Sequence, residues 1–334
     1  MKRITIYDVA KEADVSLATV SRVINDRNVV SEKTRIRVEE AIEKLGYKPN
    51  AIAQGLALSK TTTVSIVMSE KLFQYNGKIL NGMMDVSKIY NYDIMFHTTS
   101  KGISKMQDVI ESIIKSHVDG VILFNDNFSN DELEVLHEYQ IPMVVVGGKL
   151  DDNNISTVGN VYIDFEKLAY ELVSKYLDKG IDDISMVEDK LNLSMMYQMK
   201  KGVEKAFSER GKTFTQYISY DGSYKSSYEF LTHYYKENKP SKLVLTFRDS
   251  QAIAIVNACH EAGYSVPEDA ELVCVLNNKY LSMLRPRVSA YNIPEYDLGA
   301  VAMRVLTKML VDDDSLKAKD IEMGYSFLPR ETTK

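Results

Sequence analysis

The chain has 334 residues, of which 45% are hydrophobic, so it can bury a sizeable core in two or three compact units. The net charge of −6 is uneven, because residues 1–60 hold 11 Lys and Arg against 8 Asp and Glu, whereas residues 61–334 hold 30 against 39. This balance favours nucleic acid as a partner of the N-terminal part alone. There is no run of about eighteen apolar residues and no signal-peptide pattern, and Cys259 and Cys274 lack metal spacing. We therefore expect a cytoplasmic protein without a membrane span.

The first sixty residues have the pattern of helices only. Thr5 and Asp8 resemble a capping box at the start of one helix, and Ser16 is suited to cap a second helix after a tight turn. Ser31 opens a longer helix that Gly46 can end. Two short helices, a tight turn and a third helix make up the helix-turn-helix layout. After Pro49, residues 50–58 can form one short helix that we expect to be marginal alone.

From residue 61 onward, short apolar runs alternate with helical stretches. Near-continuous apolar strands between helices indicate buried parallel sheets. The predicted strands are residues 63–68, 92–97, 120–124, 142–148, 184–187, 242–247, 271–276 and 288–293. They are numerous enough for two α/β lobes, which we expect to join where "TVGNVYID" and "YNIPEYD" cross. A cleft between such lobes is a usual ligand site.

The helix after Ser16 carries the strongest sign of DNA binding. Val15, Val20 and Val23 fall on one face, and the opposite face carries Leu17, Ala18 and Arg22. Such a helix can enter a major groove, where an Arg can donate two hydrogen bonds to O6 and N7 of guanine. The alternative is an ordinary amphipathic helix with an exposed Arg, which the preceding helix and the basic charge disfavour.

Two stretches, "TIYDVAKEADVSLATVSRVIN" and "GYKPNAIAQGLALSKTTTV", closely resemble the DNA-binding head of the LacI/GalR family of bacterial repressors. The resemblance implies a two-lobed core like that of periplasmic binding proteins, and homodimers that bind pseudo-palindromic operators. It implies base contacts from Leu17, Ala18 and Arg22. It also implies backbone contacts from Thr5, Tyr7, Ser16, Thr19, Ser21, Asn25, Tyr47 and Asn50.

The same resemblance makes residues 50–58 a hinge helix that folds on operator DNA. Ala53, Gln54 and Leu56 would then lie at the minor groove, with Leu56 as a wedge that unstacks a base step and kinks the duplex. Gln54 departs from the Arg that is common at this position of the family.

Most members of the family bind a small sugar or purine in the cleft between the lobes. Sugar-binding members usually carry an Arg where this chain has Met199, and an Asp where it has Asn277. Asp249 does match a frequent Asp of the cleft. With two of three polar residues replaced, we expect weak binding of a free sugar. An unusual sugar or nucleoside effector stays open as the alternative.

The stretch "EYDLGAVAMRVLTKML" has a core face with Leu298, Val301, Val305 and Met309. Asp297, Arg304 and Lys308 fall on a different face, and Tyr296 stands just before the expected helix. Taken alone, the two cations fit a solvated salt-bridge face.

This stretch, "KIYNYDI" and "RETTK" are similar to the carbon catabolite control branch of the family. That branch responds to HPr phosphorylated on a serine, which docks on the N-terminal lobe. The resemblance implies a docking role for Tyr90, Tyr296, Asp297, Arg304 and Lys308. Residues 69–81 and 188–235 depart from the branch, and the question of a sugar phosphate as co-effector stays open.

We therefore predict a sequence-specific transcriptional regulator of carbon catabolite control. The head would cover residues 1–48, and the hinge and linker residues 49–60. The core would consist of an N-terminal lobe (61–162 and 293–322) and a C-terminal lobe (163–292 and 323–334). No GxGxxG, P-loop, metal-spaced histidine set or assignable triad is present, so we expect neither catalytic residues, nor a metal, nor a cofactor. The absence of a signal peptide and the presence of the head disfavour a solute-binding protein.

Overall fold

The computed structural model describes residues 4–25, 30–48, 61–73, 76–99, 106–124, 130–150, 155, 157–190, 193–219, 224–311 and 320–334. The chain divides into two compact units, Met1–Thr62 and Thr63–Lys334. The predicted helix at 50–58 and the hinge residues Asn50, Ala53, Gln54 and Leu56 lie outside the described residues.

The first unit is helical, with α1 (Ile6–Glu12), α2 (Leu17–Asn25) and α3 (Glu32–Leu45). The backbone N–H of Thr5 donates to the Asp8 carboxylate at 2.8 Å, as the capping box predicts. Gly46 ends α3 with φ of 61°, a left-handed conformation that glycine adopts without strain. The interior of this unit contains Val9, Val20 and Val38, all fully buried.

The second unit contains two six-stranded sheets, each flanked by helices. We call the first sheet with its helices the N-lobe, and its strand order is β11-β5-β4-β3-β1-β2. All its pairings are parallel. Its strands are β1 (Thr63–Ser69), β2 (Asp93–Thr99), β3 (Gly120–Phe124), β4 (Met143–Gly148), β5 (Val158–Ile163) and β11 (Asp320–Glu322). Its helices are α4 (Glu70–Phe73), α5 (Gly77–Ile89), α6 (Met106–Lys115), α7 (Asn130–Glu138) and α13 (Glu295–Val311).

The C-lobe is built on the second sheet, with strand order β12-β10-β9-β8-β6-β7. Its strands are β6 (Ile184–Val187), β7 (Tyr217–Ile218), β8 (Leu243–Thr246), β9 (Glu271–Cys274), β10 (Ser289–Asn292) and β12 (Ser326–Leu328). Its helices are α8 (Phe165–Asp178), α9 (Leu193–Ser208), α10 (Tyr224–Glu237), α11 (Asp249–Glu261) and α12 (Lys279–Met283). β12 runs antiparallel to β10, whereas the other pairings are parallel.

The α/β fold class, with a helical head and two parallel-sheet lobes, is confirmed. The stretch "TVGNVYID", where we expect the lobes to join, also contains a strand of the N-lobe sheet. Its residues Val158–Ile163 form β5, which is buried along its whole length between β4 and β11. Within the described ranges, no helix is long and apolar enough to cross a bilayer.

Candidate nucleic-acid interface and docking face

Helix α2 is oriented by its cap and by its buried valines. The Ser16 hydroxyl accepts a hydrogen bond from the Thr19 backbone N–H at 3.2 Å, which satisfies one of the free donors at the helix start. Val20 and Val23 pack into the interior of the head, and Val15 packs against it from a partly buried position. The rest of α2 is therefore held in one rotation about its axis.

The opposite face of α2 presents Leu17, Ala18 and Arg22 to solvent, as predicted. Residues 18 and 22 lie one turn apart, so the guanidinium stands beside a small side chain and is not shielded by a large one. A small residue that permits close approach, next to an Arg that can donate two hydrogen bonds to one base, is compatible with a helix that enters a major groove.

Six of the predicted backbone-contacting residues have described side chains. Tyr7 is 67% exposed, whereas Tyr47 is partly buried against the interior of the head. The Ser16 and Thr19 hydroxyls lie 2.8 Å apart and share one hydrogen bond, which leaves the hydrogen of one hydroxyl for an external acceptor. Thr5 uses its hydroxyl to donate to Asp8 at 2.7 Å. Ser21 is partly buried, and the side chain of Asn25 and all of Asn50 lie outside the described residues.

In the N-lobe, α5 and α13 cross so closely that their backbones touch. A Cβ added to Gly299 would lie 2.8 Å from the carbonyl carbon of Ile79, and closer still to its oxygen. A Cβ added to Gly82 would lie 2.8 Å from the backbone nitrogen of Ala300. The two glycines therefore fix the distance between the helices that carry the predicted docking residues.

Polar side chains join the same two helices at their exposed edge. The Tyr296 hydroxyl donates to the Asp85 carboxylate at 3.2 Å, and Lys78 forms an ion pair with Glu295 at 3.0 Å. The hydrogen bond to Asp85 raises the pKa of Tyr296, because the carboxylate favours the protonated phenol. Tyr90 and Tyr296 are both about two-fifths exposed, at 40% and 45%.

The expected apolar face of α13 is buried, with Val301 only partly covered. Asp297, Arg304 and Lys308 are exposed. At about 100° per residue, the three lie within roughly 20° of one line along the helix. One expectation is corrected, because α13 begins at Glu295 and Tyr296 is therefore inside its first turn. Asp297, Arg304 and Lys308 thus share one exposed surface of the N-lobe, which we call the α13 face.

The predicted cleft residues are already engaged within the C-lobe. The Asn277 side-chain oxygen accepts a hydrogen bond from Arg330 at 2.8 Å. The Asp249 carboxylate accepts hydrogen bonds from the side chain of Asn278 and from the Ser250 backbone at 2.7 Å. Met199 is buried in the hydrophobic core and presents no polar group.

A buried ion pair that sequence reasoning missed lies at the carboxyl ends of β6 and β8. Arg248 donates to Asp189, and both side chains are almost fully buried. Removing one partner of such a pair leaves an uncompensated buried charge, so the pair is a structural constraint on this edge of the sheet. A charged residue two positions after the end of each apolar strand was the available signal. No cluster of side chains able to hold a metal occurs in the described ranges.

A family model described as bacterial regulatory proteins of the lacI family matches residues 5–50, and a periplasmic binding protein-like domain matches residues 173–333. Proteins named catabolite control protein A from Priestia megaterium and Staphylococcus epidermidis are 31% and 32% identical, with 99% of this chain and 99% of each relative covered. A solved structure described as the lac repressor dimer bound to operator and the anti-inducer ONPF superposes with a TM-score of 0.85 at 20% identity over 99% of both chains.

Proposed function

Since this chain belongs to the lacI family of DNA-binding transcriptional regulators, we propose that it regulates carbon catabolite genes with seryl-phosphorylated HPr as its corepressor. A homodimer would bind pseudo-palindromic operator DNA in the cytoplasm. The observation that carries the proposal is the α13 face, where Arg304 and Lys308 lie exposed close to one line along the helix, whose first turn carries the partly exposed Tyr296. The relatives named catabolite control protein A, which match over their full length, support it.

At the DNA, α2 would lie in the major groove with Arg22 donating to a guanine. Leu17 and Ala18 would contact neighbouring base edges, and the hydroxyl left over by the Ser16–Thr19 pair would donate to a phosphate. One head reads one half-site, so two heads related by a two-fold axis would read a near-palindrome. In this proposal the dimer is formed through the core lobes.

At the α13 face, a phosphoserine would bring close to two negative charges and three acceptor oxygens. Arg304 can donate two hydrogen bonds to the phosphate from its planar guanidinium, and Lys308 adds a second positive charge one turn away. Tyr90 and Tyr296 offer exposed rings for the surface around the phosphate. Asp297 would exclude a second anion and could pair with a cation of the partner.

The regulatory step would be a shift in population. The partner binds the closed arrangement of the lobes more tightly, so its binding raises the population of the DNA-competent dimer. Residues 49–60 would then fold as hinge helices, with Leu56 at the minor groove.

The alternative is control by a small sugar or nucleoside in the cleft. Two observations favour the phosphoprotein. Asn277 and Asp249 are hydrogen-bonded within the C-lobe, and Met199 is buried, so a free sugar would have to displace existing bonds. A sugar phosphate remains part of the proposal only as a co-effector.

The test is an operator titration followed by fluorescence anisotropy, with a duplex selected by this protein from a random pool. Seryl-phosphorylated HPr should raise operator affinity about tenfold or more, and unphosphorylated HPr should leave it unchanged. Arg304→Ala should lose the response, whereas Lys115→Ala, an exposed cation on α6, should keep it. An equal response in Arg304→Ala would refute the docking role. A shift caused by a free sugar without HPr would favour the alternative.

A further inference from the structure

One side chain of the C-lobe forms hydrogen bonds to the main chain of the N-lobe through both the nitrogen and the oxygen of its amide. Gln198 of α9 donates from Nε2 to the carbonyl oxygen of Lys149 at 2.7 Å. Its Oε1 accepts from the N–H of the same residue at 3.3 Å. Lys149 directly follows β4 of the N-lobe sheet, so this pair of hydrogen bonds crosses between the lobes.

On the N-lobe side, the main chain around Lys149 is held by contacts that do not involve Gln198. Asn160 of β5 is 1% exposed, accepts from the Leu150 N–H at 2.9 Å and donates to the Gly148 carbonyl at 3.2 Å. Gly147 has φ of 128°, which side-chain-bearing residues rarely adopt, and it sets the exit of the chain from β4. The N–H and carbonyl of Lys149 are therefore held in one orientation.

The C-lobe side is equally constrained. Gln198 is 5% exposed, and Gly202 one turn further along α9 brings this helix against the backbone of α8. A Cβ on Gly202 would lie 2.9 Å from the carbonyl carbon of Glu166 and 3.0 Å from the nitrogen of Tyr170. Because Gly202 packs α9 closely against the backbone of α8, we expect Gln198 to stay with the C-lobe when the lobes separate.

We propose that Gln198 is an interlobe clasp, whose two hydrogen bonds to Lys149 favour the closed arrangement of the core. A cavity of about 220 Å³, lined among others by Lys149, Gln198 and Lys205, adjoins the contact. Water in this polar cavity can satisfy the separated groups, so the clasp can open without leaving buried groups unpaired. The inference goes beyond the proposed function, since it concerns the closure of the core and not what the core binds.

The test compares lobe closure in two glutamine variants. Gln198→Met keeps the length of the side chain and removes both hydrogen-bonding groups. Gln251→Met is the matched control. Gln251 is also buried and bonds to the main chain of Phe247, Arg248 and Glu188, all within the C-lobe.

Closure is measured by single-molecule energy transfer between dyes on Lys115→Cys in the N-lobe and Lys225→Cys in the C-lobe, both highly exposed positions. The native Cys259 and Cys274 are buried, so the dyes react with the introduced thiols. Labelled chain is mixed with excess unlabelled chain, so that a dimer carries one dye pair. Losing two hydrogen bonds should lower the closed-to-open ratio about tenfold in Gln198→Met. Gln251→Met should keep the ratio of the parent chain.

An unchanged ratio in Gln198→Met would overturn the clasp, and so would an equal fall in both variants, which would indicate general loosening.

A second measurement needs no substitution. In the parent chain the Lys149 amide should exchange its hydrogen faster than the Leu150 amide, because only the first loses its partner when the lobes part. Equal exchange rates at the two neighbouring amides would also overturn the clasp. Neither measurement depends on HPr or on operator DNA.

Discussion

Replacing Gly299 by alanine should destabilise the core and move the α13 face. The added Cβ would lie 2.8 Å from the Ile79 carbonyl carbon and 3.1 Å from its Cα, and nearer still to its oxygen. These are backbone atoms of α5, so no side chain can swing away. Overpacking of a close-packed interface costs up to about 3 kcal/mol. The better helix propensity of alanine returns about 1 kcal/mol, so the free energy of unfolding should fall by about 2 kcal/mol.

Urea unfolding followed by circular dichroism measures this difference at constant pH. The matched control is Gly77→Ala at the first position of α5, where a Cβ would meet nothing within 4 Å. This control should be neutral or stabilising by up to about 1 kcal/mol. If phosphorylated HPr docks on the α13 face as proposed, Gly299→Ala should also weaken its binding, because parting the helices separates Tyr296 from Asp85. If Gly299→Ala were as stable as Gly77→Ala, the argument that the two backbones set the helix spacing would be refuted.

The other predictions concern the DNA interface and acid stability. Arg22→Ala should cost roughly 1–3 kcal/mol of operator binding and relax the preference at one base pair, and unchanged discrimination in a selection assay would reject its role in base readout. Leu56→Ala should reduce DNA bending, and an unaltered bend in a circular-permutation gel would count against the wedge. His97 is partly buried in β2, and burial lowers its pKa below the usual 6.5 because the imidazolium is disfavoured there. The unfolded chain therefore binds the proton more readily, so the stability contributed by neutral His97 is complete above pH 6.5 and falls as acid protonates it. In urea unfolding, the free energy of unfolding of His97→Asn should fall less between neutral and acidic pH than that of the parent chain. An identical fall in both chains would contradict this.

Local signals explain why the head could be predicted from sequence. Thr5, Ser16 and Gly46 act on backbone groups within a few residues, and the structure places them at helix ends as expected. The central strands were predicted for a similar reason, because an apolar run such as residues 120–124 is buried on both faces.

The strands that were missed depend on distant pairing. β7, β11 and β12 have two or three residues each, too few for a pattern. β5 lies in the stretch expected to join the lobes, and Gly159 and Asn160 interrupt its apolar run. Asn160 is buried nevertheless, since it bonds to the end of β4.

In the candidate site too, local features could be predicted from the sequence and contacts between distant residues could not. The alignment of Arg304 and Lys308 followed from helical periodicity alone. The bond from Tyr296 to Asp85 joins residues 211 positions apart, and the pair of Arg248 with Asp189 joins residues 59 apart. No local pattern reports such contacts, because they exist only after the lobes have folded.

At the crossing of α5 and α13, the residues that set the packing of the two helices differ from the residues on the exposed surface. The glycines Gly82 and Gly299 set the packing. The scaffold is specified by two positions that accept no side chain, whereas the exposed positions of α13 contribute little to the packing beneath them. Mutation could therefore exchange Arg304, Lys308 or Asp297, and with them the proposed partner, without rebuilding the lobe. In a deep mutational scan of folding, Gly82 and Gly299 should be intolerant while their exposed neighbours vary freely. The same surface could in this way acquire a new partner in few evolutionary steps.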